Sequence, residues 1–149
     1  MEFLSKLFNI QSQSSVVKKI GFDDVREIVK SDKYILINTL PSSEQQCLIR
    51  GTISCSDEEN IINSHLNKNL GIVIYGKNSN ENKVYEKYGQ LIDLGFTKIY
   101  IYVGGLFEWL LLQDIYGEDE FPTTSKELDI LKFRPKSVLG NNYLLTDMD

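Results

Sequence analysis

Few side chains in this chain could do chemistry, and the ones that could are scattered. The two cysteines, Cys47 and Cys55, form neither a Cys-x-x-Cys pair nor a ligand set with the single histidine, His65, so zinc or iron–sulfur binding has no support and no cofactor is expected. Cys47 lies in a polar stretch beside Gln45, Gln46 and Arg50 and reads as the better redox candidate. Cys55 follows the apolar pair Thr52-Ile53 and is expected to be buried, where a thiol is inert because its pKa rises. His65, beside Ser64 and Asn67, reads as solvated. No Ser-His-Asp or paired-carboxylate spacing stands out. One loop draws attention instead: the apolar run Ile72-Val73-Ile74-Tyr75 ends at Gly76 and gives way to Lys77, Asn78, Ser79, Asn80, Glu81 and Asn82. A strand-loop-helix fold presents a nucleophile at such a place, and here the position is a glycine. Free amides in that turn would make an anion-binding nest with Lys77 nearby. Alternatively Asn78, Ser79 and Asn80 cap the next helix, and Glu81 works against an anion.

The elements that must position this loop alternate between strand and helix patterns. Val16 to Ile20 reads as a short strand, and Phe22, Val25, Ile28 and Val29 share one helical stripe. Tyr34 to Ile37 is a continuous apolar run of the kind found in strands covered on both faces. Thr52 to Cys55 reads as a further strand, followed by Ser56 and Glu59 in capping-box spacing and a helix to about Asn67. After the strand at 70–75, Val84, Tyr88, Leu91 and Ile92 mark a buried helix face that Gly95 ends. Ile99 to Val103 is another strand, Gly104-Gly105 allows a tight turn, and Leu106 to Tyr116 is a helix apolar on nearly all sides, closed by Gly117. This alternation implies a mostly parallel sheet covered on both faces.

The organisation that follows is an N-terminal extension over 1–15, a domain over 16–117 and a C-terminal extension over 118–149. Phe3, Leu4, Leu7 and Phe8 recur at helical spacing in the first extension. In the second, Thr123 to Glu127 looks like a helix start ahead of Leu128, Ile130, Leu131 and Phe133. Both are expected to dock on the domain's own core or on a partner.

Composition bounds the rest. At 149 residues, with 42% hydrophobic and 25% charged side chains, the chain reads as one ordinary globular domain. A net charge of −5 offers no basic footprint for nucleic acid. No stretch has the length of a membrane span and no secretory signal is evident, so a soluble cytoplasmic protein with reduced thiols is expected.

The same residues resemble the rhodanese-like family over roughly 16–116. Tyr34 to Thr39 is similar to that family's strand ending in Asp-Val-Arg, Ile49 to Ile53 to its Gly-His-Ile-x-Gly-Ala segment, and Ile72 to Gly76 to the strand whose last position is the active-site cysteine. Leu94 to Ile99, then Gly104-Gly105 and Trp109, resembles its closing Gly-Phe…Gly-Gly…Trp signature, the most specific match. The ending, through Phe121-Pro122-Thr123, also resembles a subgroup encoded by large DNA viruses. The resemblance implies a three-layer α/β/α fold on a mostly parallel five-stranded sheet, with Asn38, Thr39, Gly104 and Gly105 beside the active-site loop.

Departures from the family pattern govern the functional expectation. Where active members carry a persulfide-forming cysteine and, five residues on, an arginine, this chain has Gly76 and Glu81; the family's Asp and Arg after the earlier strand are Asn38 and Thr39. Glycine supplies no nucleophile, and glutamate repels an anionic sulfur donor. The expectation is a non-catalytic module with a protein partner, serving interaction, regulation or assembly, and associated with the virion if viral. The alternatives are a sulfurtransferase-like enzyme using a displaced cysteine, with Cys47 as candidate, and a small-anion sensor.

Overall fold

Four short runs form strands, the last three rich in β-branched and aromatic residues, and each strand is followed by a helix that packs on the sheet. The computed structural model describes residues 17–65 and 68–139, so the amphipathic pattern at Phe3 to Phe8, the start of the first strand at Val16 and the last ten residues lie outside the described residues. In chain order the elements are β1 (Lys18–Ile20), α1 (Phe22–Val29), β2 (Tyr34–Asn38), a 3-10 turn at Ser42–Glu44, α2 (Cys55–Ser64), β3 (Gly71–Tyr75), α3 (Lys83–Asp93), β4 (Lys98–Tyr102), α4 (Gly105–Tyr116) and a 3-10 turn at Ile130–Phe133.

The strands pair in the order β1-β4-β3-β2, all in parallel. Central β3 is buried along its whole length, which is why it reads as an unbroken apolar run. Its side chains divide by the period of two: Val73 and Tyr75 join the core formed with α1 and α4, while Ile72 and Ile74 join the one formed with α2 and α3. The result is three layers, helix pair on sheet on helix pair. Helix α3 ends in a Schellman motif, with Gly95 at φ +101°, its amide on the Ile92 carbonyl and the Phe96 amide on the Leu91 carbonyl.

Three expectations about the elements need correction. The strand at Thr52 to Cys55 shrinks to a single parallel bridge between Thr52 and Leu36, so the described sheet has four strands. Thr52 is held in a turn by its amide and hydroxyl on the Ile49 carbonyl, and two residues later Ser54 already caps α2 by accepting from the Asp57 amide. That helix begins at Cys55, ahead of the Ser56 box, and ends at Ser64. Lastly, Thr123 to Glu127 is not a helix start: Thr123 bridges antiparallel to Ile49, and Thr124 exchanges bonds with Leu48.

The segment after Gly117 is therefore part of the packed structure as far as it is described. Phe121 and Phe133 are 2% exposed and sit in the same core as Trp109, Leu106 and Tyr75. The Trp109 Nε1 donates to the Pro122 carbonyl at 3.1 Å, and Gln113 Nε2 donates to the Phe121 carbonyl at 2.7 Å. No helix among the described residues is long and apolar enough to cross a membrane.

Candidate functional site

The carboxyl ends of parallel strands face the loops that lead into the following helices, the usual place for a site in an open α/β sheet. Strand β3 ends there at Gly76, which is buried. A side-chain carbon at position 76 would stand 2.8 Å from Glu81 Cγ and 3.0 Å from both Glu81 Cβ and Thr39 Oγ1. The space a nucleophile would need is filled by the glutamate itself. Thr39 is tied to the same strand end through its amide on the Tyr75 carbonyl, and its hydroxyl oxygen is buried with no hydrogen-bond partner among the described residues.

Helix α4 closes the other side. Gly105 sits at φ +68°, and a Cβ there would meet the Gly76 carbonyl oxygen at 2.8 Å and the Asn78 amide nitrogen at 3.0 Å. Only glycine tolerates both the conformation and the approach. The first amides of α4 are consumed by this contact: Leu106 donates to the Gly76 carbonyl and Phe107 to that of Lys77, each at 2.9 Å. Gly104 has a separate reason, since the Glu108 carboxylate folds over it while accepting from the Tyr102 hydroxyl at 2.7 Å. Burial, reinforced by Glu108, holds the Tyr102 phenol well above the ordinary tyrosine pKa.

The remaining loop residues are engaged. Lys77 pairs with Glu44 at 3.0 Å. Asn78 accepts from the Asn80 amide at 2.9 Å while its own amide group donates to the Phe133 carbonyl at 3.0 Å, so it braces the turn and ties it to the C-terminal segment. Ser79 and Asn80 are exposed. None of the three caps α3, which starts later, at Lys83, with no side-chain cap. Two of the amides that a nest would offer, at Asn80 and Glu81, are bonded to Asn78. Asn38 is buried and bonded to Gln45 and the Leu40 amide, a structural role at the neighbouring strand end.

The expected exposures of the two cysteines are reversed. Cys47 is 4% exposed, its thiol donates to the Ser125 carbonyl at 3.3 Å, and burial pushes its pKa up despite its polar neighbours in sequence. It lies under the C-terminal segment, not among the Gly76 loop residues. Cys55 is exposed, as the first residue of α2. It lines a cleft of about 360 Å³ between α2 and α3, with Asn38, Thr39, Glu58, Lys83 and Lys87 also on the walls.

With that geometry in view, the comparisons with known proteins agree on a family. The family described as rhodanese-like domain matches residues 21–112, more than half of the chain. The chain belongs to the rhodanese-like domain family. Among solved structures, this rhodanese-like domain is similar to the BH2092 protein from Bacillus halodurans, at TM-score 0.57 and 14% identity, covering 93% of this chain and 97% of that one. A protein from Lactobacillus plantarum gives TM-score 0.54 and 20% identity over 73% of this chain and 93% of its own. A further match is EanB, determined with ergothioneine covalently linked with a persulfide cysteine, at TM-score 0.52 and 16% identity, over 88% of this chain and 32% of that one. At these identities the likeness shows the rhodanese-like fold alone. No curated protein matches the chain.

Sequence reasoning named Thr39 and Asn78 at the site but missed three features: Glu108, the Asn78–Phe133 tie and the buried, unpartnered Thr39 hydroxyl. The first was legible in principle, because Glu108 falls six residues after a strand-end tyrosine, at the start of a helix. The other two depend on contacts between distant segments.

Proposed function

We propose that this rhodanese-like domain is a non-catalytic module that works by binding a protein partner, in a regulatory or assembly role. The observation that carries the reading is the filled space at Gly76: there is no side chain to hold sulfur, and the Cβ and Cγ of Glu81 pack where one would stand. A carboxylate beside the loop opposes the anionic donors that sulfur transfer uses. The same reading keeps the protein in the cytoplasm, away from nucleic acid, and within the subgroup encoded by large DNA viruses. The amides bonded to Asn78 also speak against a small-anion sensor.

A thiosulfate:cyanide sulfurtransferase assay on the full chain tests it. The expected result is no turnover above the protein-free blank. Clear turnover that survives Gly76→Ala and is lost with Cys55→Ala or Cys47→Ala would overturn the reading. A displaced-thiol enzyme is the second reading, favoured by the exposure of Cys55 on the wall of the cleft with Lys83 and Lys87. Iodoacetamide-sensitive activity would be its sign.

A further inference from the structure

The carboxyl end of α4 breaks the usual electrostatic rule for a helix. Cations normally gather there, because the helix dipole places partial negative charge on its last carbonyls. Here the last turn holds no basic residue. Asp114 lies within it and Glu118, Asp119 and Glu120 follow directly. Of these, Glu120 is neutralised by Arg26, whereas Asp114 and Glu118 form no ion pair with a described residue. The same end of the helix is apolar where water should be preferred: Ile115 is 69% and Tyr116 64% exposed. Leu128, across from it in the C-terminal segment, is 84% exposed.

A cleft of about 210 Å³ lies between α4 and the C-terminal segment, with Leu110, Asp114 and Glu118 on the helix side and Glu127, Leu128 and Ile130 on the other; Ile115 and Tyr116 stand outside its walls. Lys126 is the basic side chain on its rim. Apolar side chains framing a cleft with an acidic edge are the signature of an interface, and the charge selects the occupant. A second copy would bring the same acidic face and be repelled. The chain's own first sixteen residues carry one Glu and one Lys, and its last ten carry two Asp and no base, so neither brings net positive charge from its side chains.

We propose that the cleft between α4 and the segment around Leu128 receives a basic segment of a partner protein, one apolar side chain entering beside Leu110 and Leu128 and its Lys or Arg neighbours meeting Asp114 and Glu118. The inference rests on the interaction-module reading and names the surface and the chemistry of the partner. Binding weakens as salt is raised, since the attraction is between exposed charges.

The test uses the full chain and a fluorescent peptide of leucine and lysine in amphipathic helical register, with leucine–glutamate and serine–lysine peptides as controls. Saturable binding of the leucine–lysine peptide alone is expected. It should weaken roughly tenfold in Asp114→Lys with Glu118→Lys, and likewise in Leu128→Ser, all at exposed positions that leave the melting temperature unchanged. Asp23→Lys with Asp24→Lys, an equal change in charge on α1, should leave it unaltered. Equal weakening by that control pair, or no weakening by the cleft variants, overturns the proposal. So does a dimer in sedimentation that Leu128→Ser dissolves, which assigns the cleft to a second copy. Tighter peptide binding in Phe3→Ser with Leu7→Ser overturns it as well, assigning the cleft to the chain's own start. Sulfur-transfer turnover would remove the module reading while leaving the peptide result standing. A native partner retained by the cleft variants would remove the cleft and leave the module.

Discussion

Two regions at the same edge of the sheet contrast sharply. The end of β3 is closed: Glu81 and Thr39 fill the space over Gly76, Gly105 brings α4 against the loop, and Phe133 anchors a segment that also covers Cys47. The cleft beside it, between α2 and α3, is open and carries an exposed thiol, Cys55, and two lysines. The difference teaches that a glycine at a strand end need not leave an empty pocket. Its neighbours occupy the space, whereas on the other wall Cys55 is exposed and Lys87 is paired with Glu58.

The contrast can be broken most forcefully through the thiols. Ellman's reagent should label Cys55 in the native protein at once and Cys47 only after urea unfolding, because a buried, bonded thiol is neither accessible nor easily ionised. Comparable native rates would mean that the closed region is not closed. Next in size, Phe133→Ala should cost about 3–5 kcal/mol in a urea melt and speed labelling of Cys47, since it empties a core position that also holds the loop through Asn78.

Alkaline pH gives a slope. Burial raises the phenol pKa of both Tyr75 and Tyr102 in the folded state, so above about pH 10 the unfolded chain loses protons that the folded chain keeps. Stability contributed by each is complete below that pH and falls by about 1.4 kcal/mol per unit as pH rises through the window towards the folded pKa. Tyr102→Phe should flatten the fall by one tyrosine's share, and a parallel curve would count against the assignment.

Sharper still for the closed region is a double-mutant cycle. Gly76→Ala should destabilise by about 1–2 kcal/mol through contact with Glu81 and Thr39. Glu81→Ala should recover part of that cost, giving a favourable coupling on the order of 1 kcal/mol, while strictly additive effects would refute the packing. The smallest effect belongs to the surface: Leu128→Ser should change the unfolding free energy from a urea melt by no more than about 0.5 kcal/mol.

Much of the frame was legible. β3 and β4 announce themselves as apolar runs, Gly95 and Gly117 as helix ends, and the family signature through Gly104, Gly105 and Trp109 as the fold. Those signals are local, or carried by a few residues whose backbone demands are strict. What failed depends on distant partners. Cys47 looked wet because Gln45, Gln46 and Arg50 flank it, but its burial is decided by Thr123 to Ser125 folding over it. Cys55 looked buried because Ile53 precedes it, yet Ser54 starts a helix and turns the thiol outward. The sequence puts Gly76 at the end of the buried strand, and the structure places it there. That Glu81 fills the space, beyond merely opposing an anion, needed coordinates.

The tie between Gln46–Arg50 and Pro122–Ser125 also has a consequence in time. Its partners lie 72 to 79 residues apart along the chain. During synthesis the sheet and the four described helices can emerge before the covering strip does, leaving Cys47, Leu48 and Ile49 uncovered until residues 122–125 have left the tunnel. Contacts of such long separation form late. A ribosome stalled with the strip still in its tunnel should therefore display a protein whose Cys47 can be trapped by a thiol reagent, and release should end that sensitivity.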